Sequence, residues 1–163
     1  MVKLAWTADW IWGLPLIALT LTFHVAVIMG IAVLLARVIK SAESRQTERA
    51  GSMPRAIAII GAAGLALAML HGLEALLWAV AYTLLGALDT FADAVLYSID
   101  SMTTRGSPGL NLQRQWKLLG ALESVNGVLL FGISTAFLAA AINQLWSWIR
   151  GEIDRPRAKH DTP

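Results

Sequence analysis

The sequence predicts an all-α membrane protein with three transmembrane helices and one shorter helix that enters the bilayer without crossing it. Hydrophobic residues make up 56% of the 163 residues and charged residues only 15%. Soluble proteins usually contain roughly 25% charged residues. The charges are also unevenly placed, so three apolar segments each exceed the about 20 residues that cross a bilayer. These features indicate an integral membrane protein.

The three apolar segments extend from about Ile11 to Val38, from about Ala56 to Leu85, and from about Leu118 to Trp148. Each is longer than a span requires, so we expect tilt or projection beyond the bilayer. Tryptophans cluster near the segment ends, as in the aromatic belts of membrane proteins. They are Trp6, Trp10, Trp12, Trp146 and Trp148.

Lysine and arginine predict the orientation, because cytoplasmic loops carry an excess of both. One side holds Arg37, Lys40, Arg45, Arg49, Arg55, Arg150, Arg155, Arg157 and Lys159; the other holds Lys3, Arg105, Arg114 and Lys117. We therefore expect a multi-pass protein of the plasma or inner membrane, with its N-terminus outside and its C-terminus in the cytoplasm. The chain divides into an N-terminal span with a basic loop (1–54), a central unit (55–148) and a short tail (149–163).

The segment DTFADAVLYSIDSM, residues 89–102, is helical in pattern but too short and too acidic to cross the membrane. We expect a re-entrant helix followed by non-helical backbone, which is tolerated in a membrane only when it is buried in protein or lines a water-filled cavity. Asp89 or Thr90 is expected to cap its N-terminus, and Tyr97 to anchor it against the neighbouring spans. Its C-terminal end, which carries a partial negative charge, would face the polar loop TTRGSPG.

The order span, short helix, Thr-Thr-x-Gly loop, span resembles the pore unit of the potassium-channel superfamily. YSIDSMTTRG is similar to the pore helix and the start of the filter in that family, with Thr103 and Thr104 at the positions of its threonine pair. KLLGALESVNGVLLFGISTAFL, residues 117–138, resembles the inner helix of small bacterial members with one extra N-terminal span. The resemblance covers about residues 55–146. It implies a potassium-channel-like fold with a pore helix and a selectivity filter.

The filter itself departs from the family pattern. Where the family has Val-Gly-Tyr-Gly-Asp, this chain has Arg105, Gly106, Ser107, Pro108 and Gly109. A potassium filter turns successive backbone carbonyls toward the axis, and its glycines adopt backbone angles that other residues avoid. Gly106 keeps that freedom, whereas Pro108 has φ fixed near about −65° and Gly109 lies one residue late. We therefore expect a broken carbonyl ladder and no strict potassium selectivity.

The sequence leaves two orientations of Arg105 open. A ring of inward-pointing arginines would repel cations and favour anions. If the carbonyls face inward instead, each guanidinium needs a carboxylate, which Asp100 or Glu123 can supply. In the resemblance, Asp100 occupies the place where some potassium channels carry an acid behind the filter.

Polar residues within the third span are candidates for filter support. Glu123 and Asn126 lie three residues apart, and they would either line the cavity and support the filter or bond to a neighbouring subunit. Gly127 and Gly132 permit a gating bend or, equally, close helix packing.

Ionisable residues in the other spans are functional candidates because charge inside a membrane is expensive. His71 and Glu74 share one face of the second span and would form either a pH-sensitive pair or a hydrogen-bonded pair that locks this span against the short helix, which we favour. HGLE lacks the His-x-x-x-His spacing of a zinc helix, so no metal site is expected. His24, alone on the first span, is expected to be a packing residue.

The sequence thus predicts a homotetrameric ion channel that passes inorganic ions across a lipid bilayer, because one pore unit cannot enclose a path by itself. The filter and constriction would consist of residues 103–109. A non-conducting scaffold or accessory subunit, and a proton-linked carrier that uses His71 and Glu74, are the alternatives. No catalytic arrangement, phosphate-binding loop or nucleic-acid-binding stripe is apparent in the sequence, so we expect neither an enzyme nor a cofactor nor a nucleic-acid partner.

Overall fold

The computed structural model describes residues 2–44, 52–106 and 109–153. These residues form the helices α1 (Val2–Ser44), α2 (Ser52–Leu84), α3 (Phe91–Met102) and α4 (Lys117–Ile153), and a 3₁₀ turn at Arg114–Trp116 precedes α4. No strand occurs in the part of the chain that is described. The all-α prediction is confirmed.

Three of the helices are long and apolar enough to cross a membrane. The segments concerned are Thr7–Ser41 in α1, Met53–Leu84 in α2, and Arg114–Ser147, which includes most of α4. They differ from the predicted spans by a few residues at their ends. The number of helices long and apolar enough to cross a membrane is therefore the number predicted, which is consistent with a multi-pass membrane protein.

The helices pack through one face each and leave large apolar surfaces outside. On α1 the buried residues Thr20, His24 and Ile28 recur every four residues, as on one face of a helix. The remaining faces expose side chains such as Leu19 and Leu34, which are 55% and 61% accessible. Exposed apolar surface of this extent is unusual on soluble monomers and suits contact with lipid.

Four hydrophobic layers follow one another along the bundle, and the one beside the C-terminal end of α3 contains Ala75, Met102 and Leu130. α1 and α4 run in the same direction and α2 runs in the opposite direction. Ile28 of α1, Leu70 of α2 and Ile133 of α4 therefore meet in one layer, midway along the bundle. At the end of the bundle where α3 begins, the layer includes Trp78, Tyr82, Ala87, Leu88, Ala94, Leu112 and Leu119. The layer at the other end comprises Leu35, Ile39, Ala56, Ala141, Leu145 and Ile149.

A glycine turn and a threonine cap place α3 beside α2. Gly86, at φ +62°, follows the end of α2, and the hydrogen bonds Ala87 N to Tyr82 O and Gly86 N to Thr83 O close the turn. This pattern is a Schellman motif, which glycine favours. Thr90 then caps α3, because its hydroxyl oxygen accepts a hydrogen bond from Asp93 N. Of the two predicted capping residues, the structure uses Thr90.

The C-terminal end of α3 lies beside the middle of α2 and α4. Ser98 Oγ donates to the carbonyl oxygen of Ala75 at 2.8 Å, and the backbone of Met102 contacts Gly127. Ala75 lies nine residues before the end of α2 and Gly127 ten residues after the start of α4. At the α-helical rise both are about 15 Å inside their helices. After α3 the chain returns to the end of the bundle where α3 begins, and Leu112 packs there with Leu119.

Candidate functional site

Two serines hold α3 between α2 and α4. The Ser98 hydroxyl contacts both the Ala75 carbonyl of α2 and Glu123 of α4. The Ser101 hydroxyl donates to the Gly120 carbonyl at 2.9 Å. Both serines are buried, so their polar groups are satisfied by the neighbouring spans, as buried hydroxyls require.

Glu123 is the centre of this polar network. It is fully buried, accepts a hydrogen bond from Tyr82 OH at 2.6 Å and is in close contact with the Ser98 hydroxyl. Glu123, which the sequence predicted to support the filter, thus holds α3 against α2 and α4 within its own chain. Tyr82, which the sequence analysis did not single out, is its second partner.

Tyr97 lies on the same side of α3. Its ring meets the edge of the Tyr82 ring, with centroids 5.4 Å apart, and its hydroxyl lies so close to Gly120 that a side chain there would collide with it. Burial, aided by the nearby Glu123 carboxylate, raises the pKa of Tyr97, so the hydroxyl keeps its proton as a donor. Tyr97 packs as predicted, against both neighbouring spans.

Asn126 points toward α1 and not toward the loop. Its side-chain nitrogen donates to Thr20 Oγ1 at 2.9 Å, and both side chains are fully buried. Asn126 therefore holds α4 against α1, while the loop is held by other residues.

The Arg105 guanidinium turns back onto α3. Its Nε lies 2.8 Å from Asp100 Oδ1, and its Nη2 donates to Asp100 Oδ2 at 3.0 Å. The Asp100 side chain is 4% exposed and the Arg105 side chain 67%. Of the two orientations left open by the sequence, the structure has the paired one, and the contact is the bidentate kind that arginine forms with carboxylates.

The loop that follows α3 uses left-handed backbone conformations. Thr104, Gly106 and Gly109 have φ of +56°, +74° and +85°, and such an angle is uncommon for threonine. The Thr103 hydroxyl donates to the Ile99 carbonyl at 2.8 Å and so satisfies the end of α3. Ser107 and Pro108, and with them the predicted break in the carbonyl ladder, lie outside the described residues.

A cavity of about 250 Å³ adjoins the loop between α3 and the start of α4. Hydroxyl groups and loop backbone provide much of its wall, so it suits water or small polar species better than apolar ones. Its lining residues are Tyr97, Ser101, Thr104, Gly106, Gly120, Ala121 and Ser124.

The two glycines proposed as hinges differ in their surroundings. A Cβ on Gly127 would lie 2.3 Å from the Met102 carbonyl oxygen, whereas a Cβ on Gly132 would meet nothing within 4 Å. Gly127 is thus required by close packing of α4 against the end of α3. A bend at either position stays a prediction.

A second polar cluster lies between α1, α2 and α4. His24 Nδ1 is 2.9 Å from Glu74 Oε1, and His24 Nε2 is 3.0 Å from Ser134 Oγ. His71 Nδ1 donates to the Leu67 carbonyl at 2.7 Å. The predicted pair His71 and Glu74 does share one face, but Glu74 bonds to α1 and not to His71. The cluster therefore connects α2 to α1 and α4, whereas we expected a connection to α3.

His24 and Asp9 are the polar residues that sequence reasoning undervalued. His24 is fully buried and in contact with both Glu74 and Ser134. Asp9 accepts a hydrogen bond from Leu119 N at 3.1 Å, so a carboxylate of α1 caps the positive end of α4. The available signal was their position, His24 within the first apolar segment and Asp9 just before it, since polar groups inside a membrane need partners.

Comparison of the chain with protein-family models, with curated proteins and with solved structures finds no match. Its function is therefore inferred from its own residues and their geometry.

Proposed function

We propose that this chain is the pore-forming subunit of a homotetrameric cation channel in the cell membrane, with residues 103–109 at the constriction. The observation that carries the proposal is the exposed, non-helical segment Thr103–Gly106 that follows the C-terminal end of α3. It lies at the depth of Ala75 and Gly127, inside segments apolar enough to span the membrane. Peptide groups at that depth need cover from protein or from a water-filled path. Identical copies around a shared axis supply both.

The local charges favour cations over anions. The C-terminal end of α3 carries the negative pole of a helix dipole, and it leads directly into the loop. The Arg105 charge is paired with Asp100 on the same chain, so the guanidinium does not offset that pole. With Arg105 directed onto α3, the loop backbone is the group that faces a permeating ion, as in filters built from carbonyls.

A non-conducting accessory subunit is the second candidate, and one observation favours it. The Arg105 side chain is 67% exposed in the single chain, so a ring of these ion pairs would meet at the axis of a tetramer. Such a ring would hold the assembly together and close the path. Flux measurements distinguish the two functions.

The test is ion flux in liposomes that contain the purified protein. We expect potassium and sodium flux to exceed chloride flux in the unaltered protein. Asp100→Asn releases the guanidinium and should lower the ratio of cation to chloride flux. Arg105→Val leaves the Asp100 carboxylate without its partner beside the loop and should raise cation flux. Arg114→Val removes another arginine, just before α4, and should leave cation flux unchanged.

Two results would exclude the channel. One is a particle mass in detergent or in lipid nanodiscs that corresponds to a single chain. The other is the absence of flux in both the unaltered protein and Arg105→Val, which supports the accessory subunit if the tetramer is present.

A further inference from the structure

We infer that His24, His71 and Glu74 bind a divalent first-row transition-metal ion, for which Zn²⁺ is the probe, between α1 and α2. None of its three ligands belongs to α3 or to the loop, so the site stands whether or not the chain conducts ions. The sequence gives no sign of it, because two ligands three residues apart on α2 are completed by a third from α1.

The three side chains already converge. One ligand atom from each lies within 4.8 Å of the others, and the two imidazole rings meet edge to face with centroids 5.1 Å apart. Ligand atoms around a tetrahedral zinc ion stand about 3.3 Å apart, given bonds of about 2.0–2.1 Å. Rotation of side chains, without movement of the helices, covers a difference of this size.

The hydrogen bonds fix which nitrogen of His71 is available. A carbonyl oxygen can only accept, so the contact between His71 Nδ1 and the Leu67 carbonyl places a proton on Nδ1. The lone pair of the neutral ring is then on Nε2. This atom is buried and has no hydrogen-bond partner among the described residues, and the same is true of Glu74 Oε2. Two unpartnered polar atoms on one helix face are costly in an apolar interior, and a metal ion that binds both would satisfy them.

Both histidines also have the outer partner that metal-bound histidines usually have. Such residues donate their second ring N–H to an oxygen, which orients the ring. His71 donates to the Leu67 carbonyl, and His24 Nε2 lies 3.0 Å from Ser134 Oγ. His24 Nδ1 and the Glu74 carboxylate then face each other at 2.9 Å. On metal binding both turn from each other to the ion.

The donor set selects the class of ion. Two imidazoles and one carboxylate suit zinc, iron, nickel or copper, whereas calcium and magnesium prefer oxygen ligands throughout. Glu74 is fully buried within a spanning segment, where an ionised carboxylate needs a pairing or coordinating cation. Three protein ligands leave a position for water. Bound metal would tie α1 to α2, with α4 orienting one ligand through Ser134.

The direct test is metal analysis of the full chain, purified without a histidine tag, stripped with EDTA and dialysed against Zn²⁺. We expect one zinc ion per chain and, with Co²⁺ as a second probe, visible absorption bands typical of a low-coordinate site. Glu74→Gln and His71→Gln should each weaken zinc binding at least about tenfold. Ser134→Ala should weaken it by about ten- to hundredfold, as outer partners usually do.

His160→Gln is the matched control, since it removes the third histidine of the chain, which lies outside the described residues. It should bind zinc as the unaltered protein does. Zinc should also raise the melting temperature of the unaltered chain and of His160→Gln, but not that of His71→Gln. Helicity by circular dichroism verifies that each variant is folded.

Three results would overturn the site. The folded, unaltered chain retains no zinc; zinc binding is unchanged in His71→Gln; or it is lost in His160→Gln, which indicates an adventitious ion only. The first of these needs no variant, so a substitution that prevents folding cannot leave the question open.

Discussion

Replacing Gly127 with alanine separates the two roles that the sequence allows for this glycine, close packing and a gating bend. In the structure the added Cβ would lie 2.3 Å from the Met102 carbonyl oxygen, 2.7 Å from its Cα and 2.8 Å from its carbonyl carbon. All three are backbone atoms at the end of α3, so no side-chain rotation relieves the collision. Ordinary contact begins at 3.4 Å, so the end of α3 must retreat by about 1 Å, a backbone shift of the kind that overpacking forces.

The expected free-energy change has two opposing parts. Overpacking of this kind costs about 1–3 kcal/mol, whereas alanine is favoured over glycine in a helix by about 1 kcal/mol. Gly132→Ala in the same helix and Gly30→Ala in α1 gain the helix preference without a collision, because a Cβ at either position meets nothing within 4 Å. Gly127→Ala should therefore be about 1–3 kcal/mol less stable than either control.

The measurement is equilibrium unfolding in mixed micelles, followed by circular dichroism, with ion flux measured on the same preparations. The variants share one type of substitution, so their difference isolates the contact with Met102. Equal stability of Gly127→Ala and Gly132→Ala would refute the packing argument. If Gly127→Ala then also altered flux, a bend at this residue would be the better explanation.

Two further predictions concern the attachment of α3. Thr90→Ala removes the cap of α3 and should lower the free energy of unfolding by about 1 kcal/mol. Thr135→Ala, whose hydroxyl donates to a carbonyl of its own helix, should change it little. Chemical unfolding of the two variants tests this, and equal losses of stability would contradict the role of Thr90 as a cap. Tyr82→Phe removes the hydrogen bond from Tyr82 OH to buried Glu123 and should lower the free energy of unfolding by about 1–3 kcal/mol. A change near zero in the same assay would show that Glu123 does not depend on Tyr82.

The features that the sequence predicted correctly are those decided by residues close together in the chain. The spans follow from uninterrupted apolar length, which no distant residue can alter. The start of α3 follows from Thr90 and Asp93, which are three residues apart. The packing of Tyr97 against the neighbouring spans was also predicted, although Phe91 on the same helix is 48% exposed, so an aromatic residue there is not always packed.

The contacts that could not be predicted join residues far apart in the chain. His24 meets Glu74 across 50 positions and Asp9 meets Leu119 across 110. Such pairs depend on how the helices are rotated and shifted against each other, and residue spacing carries no information on either. The ion pair of Arg105 is intermediate between these local and long-range contacts. Asp100 is only five residues away, yet the sequence offered Glu123 as an equal partner, and only the bonds of Glu123 to Tyr82 and Ser98 exclude it.

The inward direction of the polar residues on α4 has a consequence for the proposed channel. Glu123, Asn126 and Ser134 are all buried against α1, α2 or α3, so they are occupied in holding one chain together. The exposed face of α4 presents Val125 and Val128, which are 56% and 58% accessible. In a tetramer in which this face of α4 lines the path, the wall is therefore apolar at the level of these two valines. Apolar constrictions close to ions by losing water, so such a path can close by a small approach of the helices, without a charged gate.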